Sequence, residues 1–172
     1  ESGDVSDKEF VTGLIQKIKP DRVFHLAANS TTRHDALVEN HSTISTGSLN
    51  ILEAVYRFCP DCRVFITGSG VQFENTGLPI NENAPFVASS SYAAERIYSV
   101  YLARYFRSLG VKAFVGYLFH HESPLRKATH ISQKIVQTVK RIASGSQEQL
   151  QLGDISVQKE WAFAGDIASG ML

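Results

Sequence analysis

The sequence predicts an α/β fold in which a parallel β-sheet carries helices on both faces. Two observations support this prediction. Short apolar strands alternate with longer segments of helical periodicity, as in repeated strand–helix–strand units. The strands are also apolar along nearly their whole length, as expected when both faces of a sheet are covered. We therefore expect a doubly wound sheet whose ligands bind beyond the carboxyl ends of the strands.

The individual elements follow from local patterns. Residues 7–20 carry apolar side chains at helical spacing and end at Pro20, so they predict a helix. The remaining assignments rest on the same periodicity, on short apolar runs and on closing glycines. They are a strand at 21–28, a helix at 39–58 with Leu49, Leu52 and Val55 in the core, a strand at 62–68, an irregular stretch at 73–89, a helix at 90–110, a strand at 111–119, a helix at 130–145, and a local core at Trp161 and Phe163.

Composition excludes several classes of partner. The 172 residues suffice for one core, and 17 basic residues balance 17 acidic ones, so bulk charge gives no reason to expect a nucleic-acid partner. No apolar run reaches the roughly 20 residues that span a bilayer. The polar, acidic start shows no signal-peptide pattern. We expect a cytoplasmic protein that does not bind membranes.

Cysteine and histidine give no metal or redox prediction. Cys59 and Cys62 form a C-P-D-C unit that follows a helix, whereas a redox pair places its first thiol at a helix N-terminus. A zinc site would need two further ligands at suitable spacing. His120, His121 and His130 lack a supporting carboxylate pattern. We expect plain thiols and no metal site.

Three strand ends carry small or polar residues at the expected ligand edge: Ala27–Ser30, Thr67–Gly70 and Phe119–Glu122. Small side chains leave room for a flat ligand, although close packing of a helix on a strand would also favour alanine. A dinucleotide site needs a Gly-rich turn after its first strand, and "GSG" at 68–70 is not followed by a long helix. We expect a Rossmann-like sheet that lacks its N-terminal Gly-rich strand–helix–strand unit.

Three segments carry a resemblance to a known family. "GDVSDKEFVTGLIQKIKPDRVFHLAANS" is similar to the start of this region in extended short-chain dehydrogenases/reductases of the NAD-dependent epimerase/dehydratase family. "YLFHHESPLR" resembles the L-F-N-H-E-S-P-R-R segment of GDP-mannose 4,6-dehydratases, and "LQLGDISVQKEWAFAGDIASGML" resembles a later segment of that branch. The resemblance runs in unbroken order from residue 2 to 172.

The resemblance implies a site and its ligands. Tyr92 and Arg96 match the Y-x-x-x-K pair, with Thr67 and Ser69 as further catalytic candidates. The implied cofactor is NADP or NAD, and the implied substrate is a nucleotide-diphospho-sugar similar to GDP-mannose. The implied cofactor-binding residues are Asp4, Val5, Leu26, Ala27, Ala28, Asn29, Ser30, Tyr92, Arg96, His121 and Arg126; the implied substrate-binding residues are His120, Lys134 and Lys159.

The resemblance also implies an organisation. Residues 1–119 correspond to part of a Rossmann-type dinucleotide-binding domain. Residues 120–172 correspond to the remaining Rossmann elements and the start of a small sugar-nucleotide-binding region. Family members pair through the two long helices of this region, so we expect a homodimer or homotetramer.

The implied reaction is oxidation of a sugar at C4, loss of water, and reduction at C6 by the same cofactor. The catalytic segment departs from the family pattern. Gly68 stands at the threonine position, Gly70 at the glutamate position, Arg96 at the lysine position and His120 at the first asparagine of N-H-E-S. Three hypotheses remain: a dehydratase, a sugar-nucleotide 4-reductase or epimerase, and an inactive relative that binds a nucleotide or a partner.

Overall fold

The computed structural model describes residues 1–29 and 31–172, which form two compact units, Glu1–Leu118 and Phe119–Leu172. Ser30, one of the expected cofactor-binding residues, lies outside the described residues. The assignment of a cofactor domain and a sugar-nucleotide region to the two parts of the chain stays a prediction.

The first unit contains a three-stranded parallel sheet. Its strands are β1 (Arg22–His25), β2 (Arg63–Ser69) and β3 (Lys112–Leu118), in the spatial order β1-β2-β3. Consecutive parallel strands require helical crossovers, and the helices described next provide them. The predicted α/β class with a parallel sheet is confirmed.

Helices precede β1 and connect the strands. Helix α1 (Lys8–Ile18) is capped by Asp7, whose carboxylate accepts the N–H groups of Glu9 and Phe10 at 2.9 and 3.0 Å. The crossover from β1 to β2 is helical in several steps. It consists of a 3₁₀ turn at His34–Ala36, α2 (Leu37–Asn40), a π-helical turn at His41–Thr46 and α3 (Gly47–Phe58). Helix α4 (Ser91–Ser108) connects β2 to β3.

The predicted single helix at 39–58 is therefore wrong in detail. The backbone widens into a π turn within a run of serine and threonine residues. The Ile44 carbonyl accepts the hydroxyl of Ser48 at 2.6 Å. Hydroxyl groups that bond to the preceding turn compete with the regular backbone ladder.

The core of the first unit lies between the sheet and α1, α3 and α4. Leu52 and Val55 are fully buried there, as predicted. Leu49 is 39% exposed, so its predicted core position is wrong. It lies one heptad from the exposed Tyr56, on the outer side of α3.

The strands are less completely covered than their apolar sequences indicate. Phe24, Phe65 and Phe114 occupy one cross-strand row. Phe24 is 37% exposed and Phe114 is 54% exposed, so the expectation that every strand is covered on both faces is wrong for this row. Side chains on a strand alternate between faces, and in the row on the opposite face Val64 and Ala113 are buried while Val23 is half-buried.

The second unit contains two short parallel strands and two helices. Strand β4 (His121–Glu122) pairs with β5 (Ala162–Phe163), and the helices are α5 (Ile131–Ala143) and α6 (Ala164–Met171). Trp161 and Phe163 are each 55% exposed, so the predicted local core is wrong. So small a unit has too little interior to enclose large rings. No helix in the described part of the chain has the length and apolar character required to cross a membrane.

Candidate active site

The carboxyl end of β2 brings together three of the predicted catalytic residues. Helix α4 begins after its cap Ser90, whose hydroxyl accepts the Ala93 N–H at 3.2 Å, and this start places Tyr92 and Arg96 in its first two turns. The Arg96 guanidinium donates to the Thr67 carbonyl at 2.6 Å. The same group lies 5.1 Å from the centroid of the Tyr92 ring, within the range of a cation–π contact. Tyr92, Arg96 and Thr67 therefore form one cluster.

Arg96 is an unusual residue in this cluster. Arg96 is only 2% exposed, yet no carboxylate among the described residues forms an ion pair with its guanidinium. Nε of this guanidinium has no hydrogen-bond partner within residues 1–29 and 31–172. Because a buried cation is costly unless it is paired, Arg96 is suited to contact an electron-rich group such as the Tyr92 ring.

Thr67 and Ser69 differ in what their hydroxyl groups do. The Thr67 hydroxyl is buried and donates to the His25 carbonyl at 2.8 Å, so it already links β1 to β2. The Ser69 hydroxyl accepts the Gln72 N–H, and the Gln72 side-chain oxygen accepts the Ser69 N–H at 2.8 Å. Of the two, only Ser69 keeps a hydroxyl proton without an assigned acceptor in these bonds.

Two glycines near this cluster occupy the positions at which the family resemblance implies threonine and glutamate. Gly68 lies in β2 opposite Tyr117, and Gly70 begins a 3₁₀ turn at Gly70–Gln72. Neither glycine offers a group that can accept or donate a proton through a side chain. The carboxyl end of β2 thus lacks a general base at both positions.

The loop after β1 is open at its surface. The predicted strand 21–28 ends at His25, where its pairing with Ile66 of β2 stops. Leu26, Ala27 and Asn29 are exposed and Ala28 is half-buried. Small exposed side chains at the carboxyl end of a parallel strand leave the backbone accessible to a flat ligand.

Asp4 and Val5 precede α1 and are fixed in different ways. The Asp4 carboxylate accepts the N–H and the hydroxyl of Ser6, each at 2.8 Å, and these bonds hold its pKa below the ordinary value. The Val5 carbonyl accepts the Asn50 side-chain amide at 3.1 Å, which ties this segment to α3. The exposed Asp4 carboxylate can accept hydrogen bonds from a ribose hydroxyl.

The second unit has a polar cluster around Glu122. Its carboxylate accepts the Ser132 hydroxyl at 2.7 Å, and Arg126 Nε lies 3.4 Å from the same oxygen. His120 Nε2 lies 3.0 Å from the other carboxylate oxygen. His121 Nδ1 lies 2.8 Å from the Phe119 carbonyl.

Electrostatics in this cluster favours a charged carboxylate beside a neutral imidazole. Burial raises the pKa of Glu122, but the Ser132 hydrogen bond and the charge of Arg126 outweigh it, so the net shift is downward. Burial lowers the pKa of His120, and the charges of Lys159 and Arg126 add to this effect, although Glu122 opposes it. Lys159 therefore lies within electrostatic reach of His120, whereas Lys134 is an exposed residue of α5.

Neither the cysteines nor the histidines form a metal site in the described part of the chain, where no group of three potential ligands occurs. Cys59 and Cys62 are free, and burial raises the pKa of the Cys62 thiol to about 11. A thiol with so high a pKa is almost entirely protonated near neutral pH, which agrees with the expectation of plain thiols.

A polar cluster beside Tyr92 was not predicted from the sequence. The Glu95 carboxylate accepts the Ser45 hydroxyl and lies 3.1 Å from His41 Nδ1, and fully buried Asn40 donates to the Thr31 carbonyl at 3.0 Å. The run of polar residues "ENHSTIST" within a helical segment was the available signal. This cluster fixes the N-terminal part of α4, and with it Tyr92, against the π turn.

Comparison with known proteins identifies the family. The sequence profile of the family described as "GDP-mannose 4,6 dehydratase" matches residues 1–172. The chain belongs to the GDP-mannose 4,6-dehydratase family. It is 35% identical over 176 residues to GDP-mannose 4,6 dehydratase 1 of Arabidopsis thaliana, covering 98% of this chain and 49% of that protein. It is 30% identical over 180 residues to GDP-mannose 4,6-dehydratase of Sinorhizobium fredii, covering 98% of this chain and 50% of that protein.

Two solved structures share the fold. RMD from Pseudomonas aeruginosa, solved with NADPH, has a TM-score of 0.87 at 21% identity, covering 99% of this chain and 59% of that one. UDP-glucose 4-epimerase from Thermus thermophilus, solved with NAD, has a TM-score of 0.79 at 22% identity, covering 98% of this chain and 57% of that one. The chain spans about half the length of the curated relatives it matches.

Proposed function

We propose that the protein binds a nucleotide-diphospho-sugar of the GDP-mannose type together with NADP or NAD, and that it does not dehydrate the sugar. Family membership supports the ligand class, and relatives solved with NADPH or NAD support the cofactor class. The observation that carries the second half of the proposal is the pair of glycines, Gly68 and Gly70, at the carboxyl end of β2.

Dehydration requires proton transfers that these residues cannot perform. A base must remove the proton at sugar C5 before the C6 hydroxyl can leave as water. By the family resemblance that base belongs at residue 70, where glycine has no side chain. Thr67 does not substitute for the absent hydroxyl at residue 68, because its own hydroxyl donates to the His25 carbonyl.

The described residues of the first unit fit a dinucleotide in several places. The open loop Leu26–Asn29 would lie along its ribose and phosphates, and the Asp4 carboxylate would accept ribose hydroxyls. Arg96, buried and without a carboxylate partner among the described residues, would lie beside its ribose in the manner of the family's lysine. His121 and Arg126 stay cofactor-binding candidates by the family resemblance. When bound, NADP or NAD supplies the acceptor for a hydride from the sugar.

A decisive experiment incubates the full-length protein with GDP-mannose and NADP or NAD and measures products by mass spectrometry. We expect no 4-keto-6-deoxy product, while calorimetry detects binding of the dinucleotide. A 4-keto-6-deoxy product, abolished by Tyr92→Phe, would establish a dehydratase and refute the proposal.

A second candidate function is a 4-reductase or epimerase. The favouring observations are the cluster of Tyr92, Arg96 and Thr67, which retains a phenol with a cation near its ring, and the hydroxyl of Ser69 at the end of the same strand. These groups can exchange a proton with the C4 oxygen and need no base at C5. Oxidation of NADPH on addition of a GDP-4-keto-6-deoxy sugar would support this function. The oxidation is measured as a loss of the near-ultraviolet absorbance of NADPH. The absence of turnover, with ligand binding retained, would favour an inactive binding relative.

We also propose a homodimer or homotetramer that works in the cytoplasm. The outer faces of α3 and α4 expose Tyr56, Tyr98 and Tyr105. Exposed aromatic residues on packed helices are typical of interfaces between subunits. Light scattering after size-exclusion chromatography would give the oligomeric state, and Tyr98→Glu with Tyr105→Glu would shift it toward monomer.

A further inference from the structure

Tyr117 lies against Gly68 more closely than any side chain at residue 68 would permit. The two residues are direct partners in the register of β2 and β3. A Cβ atom added at Gly68 would lie 2.7 Å from Cδ1 of Tyr117 and 3.1 Å from the Gln72 side-chain oxygen. The described glycines with positive φ are Gly77, Gly110 and Gly145. Gly68 is not one of them, so packing and not backbone conformation restricts position 68 to glycine.

The Tyr117 ring is held in place by its neighbours. Its centroid lies 4.9 Å from that of Phe73 in an edge-to-face contact and 6.2 Å from that of Phe86. Phe73 is 5% exposed and itself contacts Phe86 at 5.1 Å. Moving the Tyr117 ring away from Gly68 would therefore disturb a packed aromatic cluster.

Gln72 closes the other side of the same space. Its side chain is fully buried, and its oxygen is fixed by the Ser69 N–H at 2.8 Å. A larger residue at position 68 would meet either this oxygen or the Tyr117 ring. Overpacking of this kind forces backbone shifts or strained rotamers.

We propose that Tyr117 is a residue that determines reaction specificity. Its ring occupies the space that a hydroxyl-bearing side chain at position 68 would need. This inference rests on the proposed function, in which the absence of that side chain prevents dehydration. It follows that restoring the family residues at positions 68, 70 and 96 is not enough, and that the Tyr117 ring must be removed as well.

The first test is a thermal double-mutant cycle on the full-length protein with Gly68→Thr, Tyr117→Val and the double variant. We expect Gly68→Thr to lower Tm by roughly 5 °C or more, and the double variant to lose clearly less than the sum of the two single changes. Gly68→Ala repeats the cycle if the threonine variant does not fold, since its Cβ meets the same ring. Additive changes in Tm would overturn the inference.

Gly116→Thr provides a matched control. A Cβ at Gly116 would lie 2.2 Å from Cζ of Phe65, and residues 116 and 117 of β3 point to opposite faces of the sheet, so this clash is with a different ring. Tyr117→Val should leave the Tm loss of Gly116→Thr unchanged. Equal rescue of both glycine variants would mean that Tyr117→Val relaxes the sheet in general, and would also overturn the inference.

The second test compares Gly68→Thr/Gly70→Glu/Arg96→Lys with and without Tyr117→Val in the GDP-mannose assay. We expect a 4-keto-6-deoxy product only when Tyr117→Val is present. Product without it, or no product from either variant, would refute the catalytic part of the inference. Product from the unmodified protein would instead refute the proposed function, while the Tm cycle would still decide whether Tyr117 and residue 68 are coupled.

Discussion

The buried histidine of β1 should make the stability of this protein fall between neutral and mildly acidic pH. His25 is 2% exposed. Burial is the largest of the effects that together lower the pKa of its imidazole from 6.5 to about 4; the charge of Arg96 acts in the same direction, and backbone hydrogen bonds at Ile44 and Thr43 oppose the shift. The folded protein therefore holds His25 neutral in a range where the unfolded chain takes up a proton.

The sign and size follow from these two pKa values. Because the folded pKa is the lower one, the stabilisation is complete above the unfolded pKa and is lost as the pH falls toward the folded value. A difference of this size corresponds to about 3 kcal/mol in total, of which about 2 kcal/mol is lost on going from pH 7 to pH 5.

Urea unfolding of the unmodified protein and of His25→Asn at pH 7 and pH 5 measures this contribution. The variant should be less stable at pH 7 but should lose about 2 kcal/mol less than the unmodified protein on acidification. His34→Asn removes an exposed imidazole and serves as the control. An equal loss of stability in His25→Asn and the unmodified protein would refute the reasoning.

Three further predictions concern packing, capping and thiol reactivity. Leu52→Ala should cost about 2–5 kcal/mol in urea unfolding because Leu52 is fully buried, whereas Leu49→Ala should cost much less; similar costs would contradict the core assignment. Ser90→Ala should cost about 1 kcal/mol, since it removes the hydroxyl that accepts the Ala93 N–H, and Ser90→Asp should restore most of it. Cys59 should react with Ellman's reagent well before Cys62, whose pKa is raised to about 11, and Cys59→Ser should remove the fast phase; a fast phase that persists would disprove this.

The sequence predicted the fold class well because its signals are local. Helical periodicity and apolar runs located α1, α4 and all three strands of the first unit to within a few residues. The end of β1 was predicted too late because the small residues after His25 are apolar enough to continue a strand, but they have no strand pairing with β2. The exposure of Trp161 depends on how much structure surrounds it, which no local pattern contains.

The site was predictable only in part. Motif positions indicated that Tyr92, Arg96 and Thr67 belong together, and the structure places them in one cluster. Two other features depend on the register between strands that are distant in sequence. They are the hydrogen bond from the Thr67 hydroxyl to the His25 carbonyl and the contact of Tyr117 with Gly68. Side-chain packing across the sheet therefore could not be predicted from the sequence.

The most direct test of the central claim is exchange of the sugar C5 hydrogen with solvent. The full-length protein would be incubated with GDP-mannose and NADP or NAD in D₂O, and the recovered nucleotide sugar examined by NMR and mass spectrometry. Because glycine at residue 70 offers no base, we predict no deuterium at C5, even when NADPH or NADH accumulates from oxidation at C4. Deuterium at C5 would contradict the account.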